Sequence, residues 1–107
     1  MRSPSHPGDD VVDLSAVLEA LSEPTRRQIV ARLANQPEAA CSSFVDCASK
    51  SNLTYHFNRL REAGVISVRK EAQFRLISLR REALQARFPG LLDAILAADR
   101  IDGERFD

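Results

Sequence analysis

The stretch Ser49–Gly64, SKSNLTYHFNRLREAG, decides the fold of this chain. Ser49 can accept the free N–H groups of a first helical turn, and Gly64 can take the left-handed conformation that ends a helix, which predicts about four turns of helix between them. Leu53, His56, Phe57 and Leu60 recur at spacings of three and four and define a core face. Lys50, Ser51, Asn52, Thr54, Tyr55, Asn58, Arg59 and Arg61 fall on the other faces. A solvated helix surface usually pairs Glu with Lys, but no carboxylate occurs here before Glu62. Short hydrogen-bonding groups beside cations suit the edges of base pairs in a DNA major groove.

The flanking segments give that helix its setting. Upstream, residues 39–46 (AACSSFVD) predict a short helix with Phe44 and Val45 inward, and Cys47-Ala48 turns the chain into Ser49. A short helix, a tight turn and a longer helix with a polar face form a helix-turn-helix. Downstream, Val65–Lys70 and Phe74–Leu79 alternate apolar and polar residues around Glu71-Ala72-Gln73, which predicts a hairpin with Arg69, Lys70 and Arg75 near its tip. Such a hairpin is a wing, and its cations are placed to position a phosphate backbone.

Working further out, Asp10 is the expected N-cap of a first helix with the apolar stripe Val11, Leu14, Val17, Leu18 and Leu21. Ser22 is expected to cap a second helix that has Pro24 in its first turn and runs to about Asn35. Ile29, Val30 and Leu33 point inward in this reading, while Arg26, Arg27 and Arg32 cover the outside. After the wing, residues 81–88 predict a short helical turn, Pro89-Gly90 an interruption, and Leu91, Leu92, Ile95 and Leu96 the apolar face of a last helix. The expected fold is mainly α with a two-stranded β-wing, the helix carrying residues 49–64 being the fourth. It spans residues 10–99, between a disordered leader (1–9) and a flexible tail (100–107). The terminal helices are broader in apolar surface than one small domain needs, so Val11, Leu14, Val17, Leu18, Leu91, Leu92, Ile95 and Leu96 are the expected homodimer interface.

Length and charge narrow the function classes. At 107 residues the chain is one domain with a modest core. No apolar run approaches the roughly 20 residues that cross a bilayer, and residues 1–10 lack the apolar segment of a secretory signal, so a cytoplasmic protein is expected. Formal net charge is zero, yet residues 49–81 hold eight cations against two carboxylates, a local excess of +6. The chain is basic in the middle and acidic at both ends, and screening over about 8–10 Å makes the local excess the one that matters. An enzyme is not expected: Cys47 and His56 are a conceivable nucleophile and base, but no third orienting group or Gly-rich loop accompanies them.

The order of elements and the residues themselves resemble the ArsR/SmtB-type winged helix-turn-helix repressors. LSEPTRRQIVARL (21–33) is similar to their second-helix signature, and SKSNLTYHFNRLREAGVISVRKEAQFRLISL (49–79) to their recognition helix and wing, with REAGVI the most specific piece. The likeness covers roughly residues 14–98. It implies a homodimer that binds pseudo-palindromic operator DNA and represses transcription, in many members until a metal, metalloid or oxidant reaches a sensor site. By this resemblance Ser49, Lys50, Ser51, Asn52, Thr54, Tyr55 and Asn58 belong to the DNA-reading segment, with Arg59 beside them. His56 corresponds to a histidine facing the protein body, and Arg69, Lys70 and Arg75 to the wing.

Three departures leave the effector open. The family's thiol site is a Cys-x-Cys pair in the third helix, whereas this chain has Cys41 and, six residues on, Cys47. The last helix lacks the family's zinc-binding His and paired acidic residues, and the wing turn lacks its frequent glycine. Cys41 and Cys47 therefore stand either as small packed hydrophobes or as a thiol sensor for a soft metal, metalloid or oxidant. No cofactor is required on this reading. A winged-helix module for protein association, without DNA, is the alternative of a different class.

Overall fold

In the computed structural model, which describes residues 12–105, α1 spans Leu14–Ala20 and α2 Pro24–Leu33. A two-residue strand β1 (Ala39–Ala40) and a 3-10 turn (Cys41–Phe44) lead into α3 (Lys50–Glu62). The hairpin β2 (Ile66–Glu71) and β3 (Phe74–Leu79) follows, then α4 (Arg81–Arg87) and α5 (Leu91–Arg105). The core gathers Val17, Ile29, Val30, Leu33, Phe44, Leu60, Val65, Ile66 and Ile77, all buried almost completely.

Helix α3 has the predicted boundaries for the predicted reasons. The Ser49 side chain accepts from the Asn52 N–H, and Gly64, at φ 82°, lets its own N–H reach the Arg61 carbonyl while the Val65 N–H reaches that of Leu60. This double closure with Leu60 and Val65 both buried is a Schellman ending. Burying Leu53, Phe57 and Leu60 contributes about 1.5–3 kcal/mol for each side chain. Phe57 meets Phe44 edge-on with ring centroids 5.7 Å apart, which seats α3 on the 3-10 turn.

Elsewhere several expectations are corrected. Asp13, whose carboxylate accepts from the Ala16 N–H, caps α1; Asp10, Val11 and the leader lie outside the described residues. Glu23 caps α2 by accepting from the Arg26 N–H, while the Ser22 hydroxyl donates back to the Glu19 carbonyl. The helix predicted over residues 39–46 is a single 3-10 turn: Ser43 Oγ donates to the Ala40 carbonyl, competing with helical bonding as short polar side chains do. Within that turn Phe44 points inward, but Val45 is 67% exposed.

The wing is three-stranded, ordered β1-β3-β2 and antiparallel throughout, with Ala40 opposite Leu76 and Arg69 opposite Leu76 on its other side. Two alanines carry no strand signal of their own, and they pair because β3 offers a free edge. At the hairpin turn Ala72 adopts φ 56°, the left-handed conformation that a glycine takes without strain. The domain boundary expected at residue 99 falls inside α5, which continues to Arg105.

Candidate nucleic-acid interface

The polar face of α3 is open to solvent: Lys50, Ser51, Asn52, Thr54, Tyr55, Asn58 and Arg61 are all exposed. Their surroundings divide them into two neighbouring stripes. Lys50, Thr54, Asn58 and Arg61 line one side of a cleft of about 810 Å³, with Gln73, Phe74 and Arg75 of the wing also on its wall and Leu53 and Phe57 in its lining. Ser51, Asn52 and Tyr55 lie on the adjoining face, Tyr55 57% exposed and tilted against the His56 ring. Thr54 Oγ1 donates to the Lys50 carbonyl, which commits its hydroxyl proton and leaves its methyl group for contact. Ser49 is held in its capping role. The structure thus brings Gln73 and Arg61 to the site as well, though neither stood out among the expected contacts; Arg61 carried a signal, lying on the polar face three residues beyond Asn58.

The basic belt is less available than its count suggests. Arg59 reaches back to α1, its guanidinium donating to the Glu19 carboxylate at 2.6 Å, with its Nε buried and unpartnered among the described residues. Arg69 lies between two carboxylates: Glu38 accepts two hydrogen bonds from it, at 2.6 and 3.0 Å, and Glu71 stands at 2.6 Å. Because Glu38 immediately precedes β1, this pair clasps the sheet across β3. The same hydrogen bonds hold the Arg69 guanidinium well above its usual protonation range and the Glu38 carboxyl below its own. Arg80 donates to the Gly64 carbonyl and Arg81 to that of Ala34. Among the described residues no ion pair engages Lys50, Arg61, Lys70 or Arg75.

Arg26 and Arg27, expected on the outside of α2, close the C-terminus of α1 instead. Arg26 is only 4% exposed; its Nε donates to the Ala20 carbonyl at 2.5 Å and its guanidinium also reaches the Glu19 carbonyl and His56 Nδ1. Arg27 donates to the Leu21 carbonyl and pairs with Asp99 of α5. The last carbonyls of α1 need donors, and the adjoining helix supplies them as cations at the negative end of the helix dipole. Arg32 holds Asp46 with two bonds and lies 5.0 Å over the Phe44 ring, fastening the 3-10 turn to α2.

The cysteines do not converge on one site. Cys41 lines the cleft, whereas Cys47, half-buried outside that lining, lies near Arg32 and Asp46. Burial pushes both thiols up, against the pull of Arg75 on Cys41 and of Arg32 on Cys47. Both are therefore thiols rather than thiolates near neutral pH, the less reactive form. Among the described residues no group of three or more His, Cys, Asp or Glu side chains stands where it could share a metal ion, and His6 lies outside them.

On α1, Leu14 and Leu18 are each 45% exposed, and on α5 Ile101 is 60% exposed. Leu18, Leu21, Ile95 and Ala98 line an open groove of about 420 Å³ beside the Arg27–Asp99 pair. Val17 and Leu92, expected to meet a partner, are buried in the chain's own core, and Leu91, Ile95 and Leu96 pack partly against it. Val11 lies outside the described residues. No helix among the described residues is long and apolar enough to cross a membrane.

Comparison with known proteins gives the same assignment. Residues 21–69 match a helix-turn-helix domain family. An uncharacterized HTH-type transcriptional regulator of Bacillus subtilis (strain 168), YceK, is 32% identical over 82 residues, covering 74% of this chain and 82% of that one. Among solved structures, a possible transcriptional regulator for arsenical resistance aligns at 30% identity and TM-score 0.61, over 86% of this chain and 97% of its own. An ArsR family transcriptional regulator aligns at 25% identity and TM-score 0.63, over 85% and 96% of the two chains. HlyU from Vibrio vulnificus CMCP6 aligns at 25% and 0.58, over 87% and 86%. With its helix-turn-helix, its wing and these likenesses, the chain belongs to the ArsR family of winged helix-turn-helix proteins and is a DNA-binding transcriptional regulator, not an enzyme.

Proposed function

We propose that the protein is a repressor that occupies a pseudo-palindromic operator as a homodimer, with one α3 in the major groove of each half-site about one DNA turn apart. The observation that carries this reading is the exposed, carboxylate-free polar face of α3 from Lys50 to Asn58, where Lys50, with Arg61, Lys70 and Arg75 nearby, has no described carboxylate to neutralise it. Asn52 and Asn58 offer the donor and acceptor pair that suits adenine, Lys50 and Arg61 the cations that suit guanine or phosphate, and Thr54 a methyl group for thymine. Lys70 and Arg75 position the backbone from the wing. Leu14, Leu18 and Ile101 supply the two-fold contact, joined by Ile95 and Leu96, which pack partly against the chain's own core. An operator as partner places the protein in the cytoplasm. Cys41 and Cys47 enter as packed thiols, and no effector is required for binding.

Selection from a random duplex pool recovers the operator, and fluorescence anisotropy on that duplex then tests the reading face. Asn52→Ala and Tyr55→Ala each weaken binding by about 1–3 kcal/mol while the helical circular dichroism is retained. Unchanged affinity in both variants removes the assignment of that face. A Cys41→Ser/Cys47→Ser protein keeps wild-type affinity; its loss would return the thiols to the binding mechanism.

A further inference from the structure

The contact between α2 and α3 holds a buried cation with no anion. Arg26 and His56 are 4% and 9% exposed, and the guanidinium donates to His56 Nδ1 at 3.2 Å. Its other side-chain bonds go to the Ala20 and Glu19 carbonyls, and among the described residues no carboxylate pairs with it. A guanidinium has donors only, so Nδ1 must be the acceptor and the neutral ring carries its proton on Nε2. The neighbouring charges are already committed. Glu19 of α1 spends its carboxylate on Arg59 of α3, and Glu23, the cap of α2, accepts the Arg26 backbone N–H. Tyr55 offers only its ring, with centroids 5.6 Å apart.

We infer that Arg26 and His56 are positioning residues for the reading helix and that their contact makes DNA binding acid-sensitive. Three elements meet at Arg26: the last carbonyls of α1, its own helix α2, and α3 through His56. His56 lies one residue from Tyr55 and two from Asn58, so the seat of its ring against Arg26 sets how α3 as a whole presents those side chains. Protonation of His56 removes the lone pair that Arg26 needs and sets two cations within hydrogen-bond distance in a buried space. The contact therefore needs a neutral ring and is lost once acid protonates it. The direction is diagnostic, because acid otherwise raises the positive charge of a protein and strengthens its hold on DNA.

The inference rests on the proposed DNA interface, and the test separates the two. Affinity for the selected duplex is measured at pH 7.5 and 5.5 for the full chain, for His56→Asn, whose amide oxygen replaces Nδ1 as acceptor without titrating, and for His6→Asn, which removes the other histidine. The wild type and His6→Asn lose at least tenfold in affinity on acidification, and His56→Asn is flat within about threefold. A wild type that binds equally at both pH values, or a His56→Asn that falls as far, overturns the inference and leaves the interface standing. No binding at pH 7.5 overturns the interface itself. Should His56→Asn fail to fold, the imidazole ¹⁵N shifts of the wild type decide: an unprotonated Nδ1 at pH 7.5 and a titration coincident with the loss of DNA support the contact, and a protonated Nδ1 or a titration elsewhere overturns it.

Discussion

Eight cations lie between Ser49 and Arg81, and the fold divides them by occupation. Arg59 and Arg69 are spent on carboxylates and Arg80 and Arg81 on backbone carbonyls, whereas Lys50, Arg61, Lys70 and Arg75 have no carboxylate of a described residue. A charge already matched within the protein releases few counterions from DNA. Arg75→Ala should therefore flatten the dependence of log Kd on log salt by about 0.9. Arg69→Ala should leave that slope nearly unchanged; an equal flattening by both substitutions in anisotropy titrations would show that Arg69 reaches phosphate after all. The sequence displays all eight alike because the partners that distinguish them are remote: Glu38 is 31 residues from Arg69, and Glu19 is 40 from Arg59. For the same reason Arg26 looked like a surface residue, although its spacing from Ile29 and Val30 already placed it on the buried stripe of α2.

At the scale of elements, legibility followed local chemistry. Both ends of α3 could be read because Ser49 and Gly64 act through backbone groups within five residues of themselves. The short strand β1 could not, because its hydrogen bonds belong to β3, some 36 residues on. That strand and the wing are joined by the Glu38–Arg69 clasp, whose pH dependence has a definite sign. Arg69 holds the Glu38 carboxyl below its usual range, and Arg32 does the same for Asp46. A value depressed by folding means stabilisation that is complete above the unfolded carboxylate range and is lost as pH falls through the folded value. The midpoint of urea denaturation should thus be nearly level from pH 7 to about 5 with respect to these pairs and decline below about pH 4. Glu38→Gln should decline less steeply. Parallel curves for the two proteins would mean that the clasp adds nothing to stability.

For the whole molecule, the proposed two-fold contact falls to the acidic terminal helices and the proposed DNA contact to the basic middle. The width of the apolar stripe on the first and last helices is legible as surplus, but which of its residues are surplus depends on rotation about the helix axis. Val17 and Leu92 turn into the chain's own core, while Leu14, Leu18 and Ile101 are left facing out. Leu18→Asp, at a position 45% exposed, should yield a folded 11.9 kDa monomer in sedimentation velocity at micromolar concentration, where the wild type sediments at twice that mass. A wild type that sediments as the monomer removes the two-fold arrangement. The two alanines of β1 have a consequence of another kind. β3, FRLISL, is rich in the residues that favour cross-chain strand addition, and without β1 one whole row of its amides and carbonyls would be open to any passing strand. Ala39 and Ala40, held down by the Glu38–Arg69 clasp, cover the part of that row opposite Leu76 and Ile77, and so take from an intruding strand the stretch of β3 on which it could pair.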